Sequence, residues 1–103
     1  MNLIDKNIEK IIQLCNKHKV KELYLFGSAL TDNFNDSSDI DMLIQFIQID
    51  VLDYFDNYMD LKEELEDLLT RPVDLVENQA IRNPIFRKAV DREKKLVYER
   101  KSA

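Results

Sequence analysis

Two aspartates, Asp39 and Asp41, open the segment DIDMLIQF over residues 39–46. Side chains two apart on a strand point to the same side, so this spacing predicts neighbouring carboxylates. Such a pair repels itself, and one member resists ionising. The apolar neighbours Ile40, Met42 and Ile44 raise that cost by burying the strand. A divalent cation held between the two carboxylates relieves it; so does a solvated face of an antiparallel sheet. A third carboxylate, Asp74, is the one charge within Val73-Asp74-Leu75-Val76. Taken alone it reads more readily as a solvent-facing strand residue. If its strand neighbours 39–46, the three carboxylates compose an all-oxygen site of the kind that Mg2+ or Mn2+ prefers.

The chain's single glycine, Gly27, directly follows an apolar run and is followed by Ser28. Without a Cβ, a glycine lets the backbone approach a ligand closely. A serine at the first helical boundary caps the helix and leaves N–H groups facing outward, which favours an anion such as a phosphate. Either fragment alone is also an ordinary strand-to-helix turn. The combination is more specific. Asp39 and Asp41 stand eleven and thirteen residues after Ser28, with Ser38 just before them, and Asp74 lies on a later strand. A phosphate-approach turn beside three carboxylates is the composition of a two-metal phosphoryl site.

The stretch LYLFGSALTDNFNDSSDIDMLI resembles the Gly-Ser…Asp-x-Asp signature of the polymerase-β-like nucleotidyltransferases. Within them it is most similar to the minimal nucleotidyltransferases, the antitoxin partners of HEPN-domain toxins. The resemblance runs from the leading helix to the last strand. It implies that Gly27 and Ser28, with Ser38, hold the phosphates of ATP and that Asp39 and Asp41 bridge two Mg2+ ions. It further implies that Asp74 binds the ion beside the attacking hydroxyl and assists its deprotonation. The implied activity is transfer of AMP from ATP to a tyrosine of a partner HEPN toxin, which silences the toxin's RNase activity. One departure stands out. Where many relatives carry Arg and Gly soon after Gly-Ser, this chain has Ala29-Leu30-Thr31-Asp32. Arg71, Arg82 and Arg87 are the candidate substitutes for the missing cation. A catalytically weak or inactive module that neutralises a toxin by binding alone is the alternative reading.

Hydrophobic periodicity places the elements that must carry these residues. Ile4, Ile8, Ile11, Ile12 and Cys15 predict an amphipathic helix over about 3–18. VKELYLF, residues 20–26, reads as a buried strand, and 28–38 as a turn of helix and a loop. The second strand is 39–46, with Ile40, Met42 and Ile44 on one face and Asp39, Asp41 and Leu43 on the other. The longest helix spans 51–69 and ends before Arg71-Pro72. A strand at 73–77, two short helices within 79–93 split at Asn83-Pro84, and an edge strand at 95–99 complete the order. The expected class is α/β (α+β): a small mixed sheet of about four strands with helices packed on it, the nucleotidyltransferase fold, as one domain over 1–103.

Composition limits the partners. Fifteen basic against twenty acidic residues leave a net charge of −5, so tight nucleic-acid binding, including addition of nucleotides to RNA ends, is disfavoured. One cysteine excludes a disulfide framework and a Cys-rich zinc site. The absence of a long apolar run excludes a membrane span, and the first ten residues lack a signal-peptide pattern, so a reducing cytoplasm is the expected compartment. With all 103 residues used by the core fold, the molecule that is modified must supply its own docking surface, which suits a protein. The remaining features read plainly. His18 is expected at the surface or capping a helix, and Cys15 in the core. Tyr54, Phe55, Tyr58 and Met59 read as core and interface, and Glu63, Glu64, Glu66 and Asp67 as a solvated helix face.

Overall fold

A computed structural model describes residues 2–27 and 39–101. The order is α1 (Asn2–Lys6), α2 (Ile8–Lys17), β1 (Val20–Phe26), β2 (Ile40–Phe46), α3 (Val51–Leu69), β3 (Val73–Glu77), a 3-10 turn (Asn78–Ala80), α4 (Pro84–Glu93) and β4 (Lys95–Glu99). The four strands form one sheet in the order β3-β2-β1-β4. β1 runs antiparallel to both β2 and β4, and β2 runs parallel to β3. A parallel pair needs a crossover, and α3 supplies it. The sheet is therefore mixed and four-stranded, as the apolar patterning predicts.

The core lies between one sheet face and the helices α2 and α3. Leu23, Leu25, Ile40, Met42, Ile44, Val73 and Leu75 pack there against Ile11 and Cys15 of α2 and Leu61, Leu65 and Leu69 of α3. Each fully buried aliphatic side chain stabilises the fold by about 1.5–3 kcal/mol relative to exposure. Burial also pushes the Cys15 thiol up to about 12, so it is a core residue without nucleophilic character. The opposite face is thinner. Phe26 and Leu43 pack there against Val90 of α4, with Tyr24, Val76 and Ile81 around them.

Local chemistry sets the boundaries. The Asp50 side chain accepts from the Leu52 amide at 3.2 Å and starts α3. Thr70 takes a left-handed backbone (φ 56°) and Pro72 follows two residues later, so α3 stops. Asn83 accepts from the amides of Ile85 and Phe86 at 2.9 and 3.2 Å, with Pro84 in the first turn of α4.

Three expectations need correction. The helix expected over 3–18 is broken at Asn7, whose side chain donates to the Leu3 carbonyl at 2.9 Å while its amide reaches Ile4. An asparagine that bonds the local backbone offers it an alternative to the helix. His18 is buried rather than at the surface (6% exposed), though it does end α2 as its C-cap residue. Its Nε2 lies 2.5 Å from Glu64 Oε2 and its Nδ1 3.3 Å from Asn57 Oδ1. The acidic face of α3 is not all solvated either. Lys17 donates to Glu64 at 2.8 Å, and this bond, then that to His18, holds the Glu64 carboxyl below its ordinary range. Glu66 accepts from the Val73 amide at 2.9 Å, joining the end of α3 to the start of β3.

Candidate active site

The two central strands carry the carboxylates in register. Asp41 of β2 and Asp74 of β3 are direct partners across the parallel pair, and Asp41 also faces Phe26 of β1. Asp41 and Leu43 alternate away from the buried Ile40, Met42 and Ile44, so they belong to the sheet face that α4 partly covers. Asp74 lies between Val73 and Leu75, both in the main core, and projects to that same face. Asp39 stands one residue before β2 and is exposed. The strand expected over 39–46 thus begins at Ile40, which leaves Asp39 at its mouth.

Gly27 closes the group from the β1 side. Its backbone is left-handed (φ +69°), and a Cβ built there would stand 2.7 Å from Asp41 Oδ2. The absence of a side chain at this position is what admits the Asp41 carboxylate. Ser28 and Ser38, the two other expected phosphate contacts, lie outside the described residues, as do Ala29 to Asp32.

Asp41 feels the charges of both other acids. Burial, then the charge of Asp74, then that of Asp39 push the Asp41 carboxyl above its ordinary range. Among the described residues no three acidic, His or Cys side chains already converge on one point as a metal cluster. Three mutually repelling carboxylates are expected to stand apart until a cation draws them in. An oxygen-only donor set at adjacent strand positions fits Mg2+ or Mn2+, and the cradle at Gly27 keeps Asp41 free of a clash. A raised carboxyl pKa in the folded state has a definite sign. The folded chain binds a proton more tightly than the unfolded chain, so ionising Asp41 costs stability at neutral pH. That cost disappears as pH falls through the raised pKa. Thermal melts of metal-free Asp41→Asn are therefore expected to lie above wild type at pH 7 and to converge with it towards pH 4.

The surrounding cations are differently placed. Arg87 donates to the Asn78 side chain at 2.7 Å, bonds the Asn78 carbonyl and lies 3.6 Å from Asp91, so it is committed to the turn after β3. Arg82 is exposed and follows Ile81, which packs with Phe26 and Leu43 on the carboxylate face. Arg71 is half-buried just after α3. Sequence reasoning did not find Phe86, an edge-to-face neighbour of Phe26 with ring centroids 6.2 Å apart. The pairing that brings α4 over this face is tertiary, and no local signal announces it.

Comparison with known proteins bears on the family and the fold. Residues 9–103 match the family described as "Polymerase beta, Nucleotidyltransferase". A relative from Methanocaldococcus jannaschii named "putative protein adenylyltransferase" is 40% identical over 86 residues, 82% of each chain. Among solved structures, a "putative minimal nucleotidyltransferase" superposes with a TM-score of 0.73 at 29% identity, covering 89% of this chain and 90% of the other. A toxin–antitoxin crystal structure with AMP-PNP superposes with a TM-score of 0.69 at 26% identity, covering 91% of this chain and 74% of that one.

Proposed function

Because this chain belongs to the polymerase β nucleotidyltransferase family, we propose that it is a Mg2+-dependent protein adenylyltransferase, an antitoxin that transfers AMP from ATP to a tyrosine of a partner HEPN toxin. The observation that carries this is the pairing of Asp41 with Asp74 beside Gly27, the constellation that a phosphoryl site requires. The relatives' names and the nucleotide-bound toxin–antitoxin neighbour support the substrate and the partner.

In this reading Asp39, Asp41 and Asp74 would together hold two Mg2+ ions (Mn2+ as the other fit). When bound, the ions neutralise charge at the α-phosphate and on the departing pyrophosphate. Gly27 and Ser28, with Ser38, seat the β- and γ-phosphates, and the bare Gly27 backbone allows that approach. Asp74 assists removal of the proton from the tyrosine hydroxyl. The tyrosine oxygen then bonds the α-phosphorus as its bond to the pyrophosphate oxygen breaks. The acidic chain and the absence, among the described residues, of a helix long and apolar enough to cross a membrane suit a cytoplasmic protein that modifies another protein.

A ligand that binds only the native state stabilises it by about 2.7 kcal/mol at a hundredfold excess over Kd. For a domain of this size that raises the melting midpoint by roughly 10–20 °C. Mg2+ and ATP together are expected to give such a rise, ATP without divalent ion much less, and Asp41→Asn with both much less. An equal rise with and without Mg2+ would contradict the site.

A further inference from the structure

Among the described residues, Phe86 presents the most open aromatic ring on the carboxylate face. Its neighbour Phe26 is buried and is the register partner of Asp41. The two rings meet edge to face, with an interplanar angle of 70°. A contact of that kind covers at most one face of either ring, so Phe86 keeps a face that Phe26 does not touch. Val90, one turn further along α4, packs with Phe26 and Leu43. That side of α4 therefore meets the sheet, and Phe86, 42% exposed, stands at its margin. The other rings lie elsewhere. Phe46, Tyr54, Tyr58 and Tyr98 belong to the main core on the opposite face of the sheet. Tyr24 shares the carboxylate face and is less exposed, and the Lys94 ammonium stands over its ring, 4.5 Å from the centroid. Phe34 lies outside the described residues.

We propose that Phe86 is the platform on which the purine base of the nucleotide stacks. This rests on the nucleotidyltransferase reading and adds the base contact to it. A nucleoside triphosphate has one strongly charged end and one flat, uncharged end. The turn at Gly27 and cations held by Asp41 and Asp74 take the charged end. The base then needs apolar ground on the same face of the sheet. Phe86 offers it, one side chain removed from Asp41 through Phe26. An aromatic side chain under a base adds roughly ten- to a hundredfold to affinity. Its contribution is made with or without an acceptor in place, so Phe86 is a binding residue that orients the nucleotide for the metals.

The test is direct binding of Mg-ATP and of Mg-tripolyphosphate to wild type and to Phe86→Ala, with no acceptor present. Both ligands carry the triphosphate, and only ATP carries a base. Phe86→Ala is expected to weaken Mg-ATP by roughly ten- to a hundredfold and to leave Mg-tripolyphosphate within about threefold of wild type. In the transfer assay KM for ATP should rise with kcat little changed, as loss of uniform binding requires. Phe86→Trp should keep ATP binding. The chain has no tryptophan, so the indole of that variant is a lone fluorophore, and Mg-ATP should quench it where Mg-tripolyphosphate does not. Mg-ATP binding by Phe86→Ala within about threefold of wild type, with an indole in Phe86→Trp indifferent to ATP, would overturn the platform and leave the enzyme reading standing. Equal losses of both ligands would overturn it too, by marking Phe86 as structural. Unchanged ATP binding with a raised KM for the protein acceptor would assign the ring to the acceptor instead. A wild-type chain that binds neither ligand in the presence of Mg2+ would remove the nucleotide site and the platform with it.

Discussion

Asp41→Asn is expected to reduce nucleotidyl transfer by at least a hundredfold, on the order of 10³, while the protein stays folded. Losing a preorganised group that stabilises developing charge costs about 10²–10³ in rate. Asp41 is the centre of the acidic group, since it faces Asp74 on one strand, Phe26 on the other, and Gly27 at the turn. Asparagine keeps the shape and one oxygen but removes the charge that a divalent ion requires. The same change removes a carboxylate that burial and two acidic neighbours oppose. The variant should therefore be inactive and, without metal, more stable than wild type at pH 7. Loss of activity with a gain in stability separates a role in chemistry from a role in folding. If Asp41→Asn still neutralises the toxin in cells, masking by complex formation suffices, and the non-catalytic alternative gains.

Gly27→Ala is the second large effect, and it acts through two routes. A residue with a Cβ in the left-handed region loses roughly 1–2 kcal/mol, which predicts a fall in the melting midpoint of about 4–16 °C. The new methyl also stands 2.7 Å from Asp41 Oδ2. The carboxylate can turn aside cheaply, so packing is not the larger loss. Turning it aside moves a metal ligand, and a misplacement of about 1 Å can cost about a hundredfold in rate. A steady-state assay should show kcat falling by about ten- to a hundredfold, more than the stability change explains. Unchanged turnover in a folded Gly27→Ala would place Gly27 in the turn alone.

The strands were legible because each states its own period. In β2, Ile40, Met42 and Ile44 alternate with Asp41 and Leu43, and the structure buries and places them accordingly. The end of α3 was legible from Arg71-Pro72, and its start from the helical spacing that begins at Val51; the Asp50 cap emerged only with the structure. The in-register meeting of Asp41 and Asp74 was only a condition in the sequence, because strand order is decided by the crossover and the packing of α3, not by either strand. The place of His18 at the end of α2 was legible, but its burial was not, for a related reason. Its partners, Glu64 and Asn57, lie 46 and 39 residues away, so nothing local marks the pair. The exposed apolar residues of α3 carry helical spacing just as core residues do, and only the fold separates Phe55 from Leu65.

The most direct measurement is the intact mass of the partner toxin after incubation with this protein, ATP and Mg2+. The account predicts a mass increase of one or more whole AMP groups, located on tyrosine. The increase should require the divalent ion and be absent with Asp41→Asn or Asp74→Asn. An unmodified toxin in a stable complex with the wild-type chain, Mg2+ and ATP present, would contradict it.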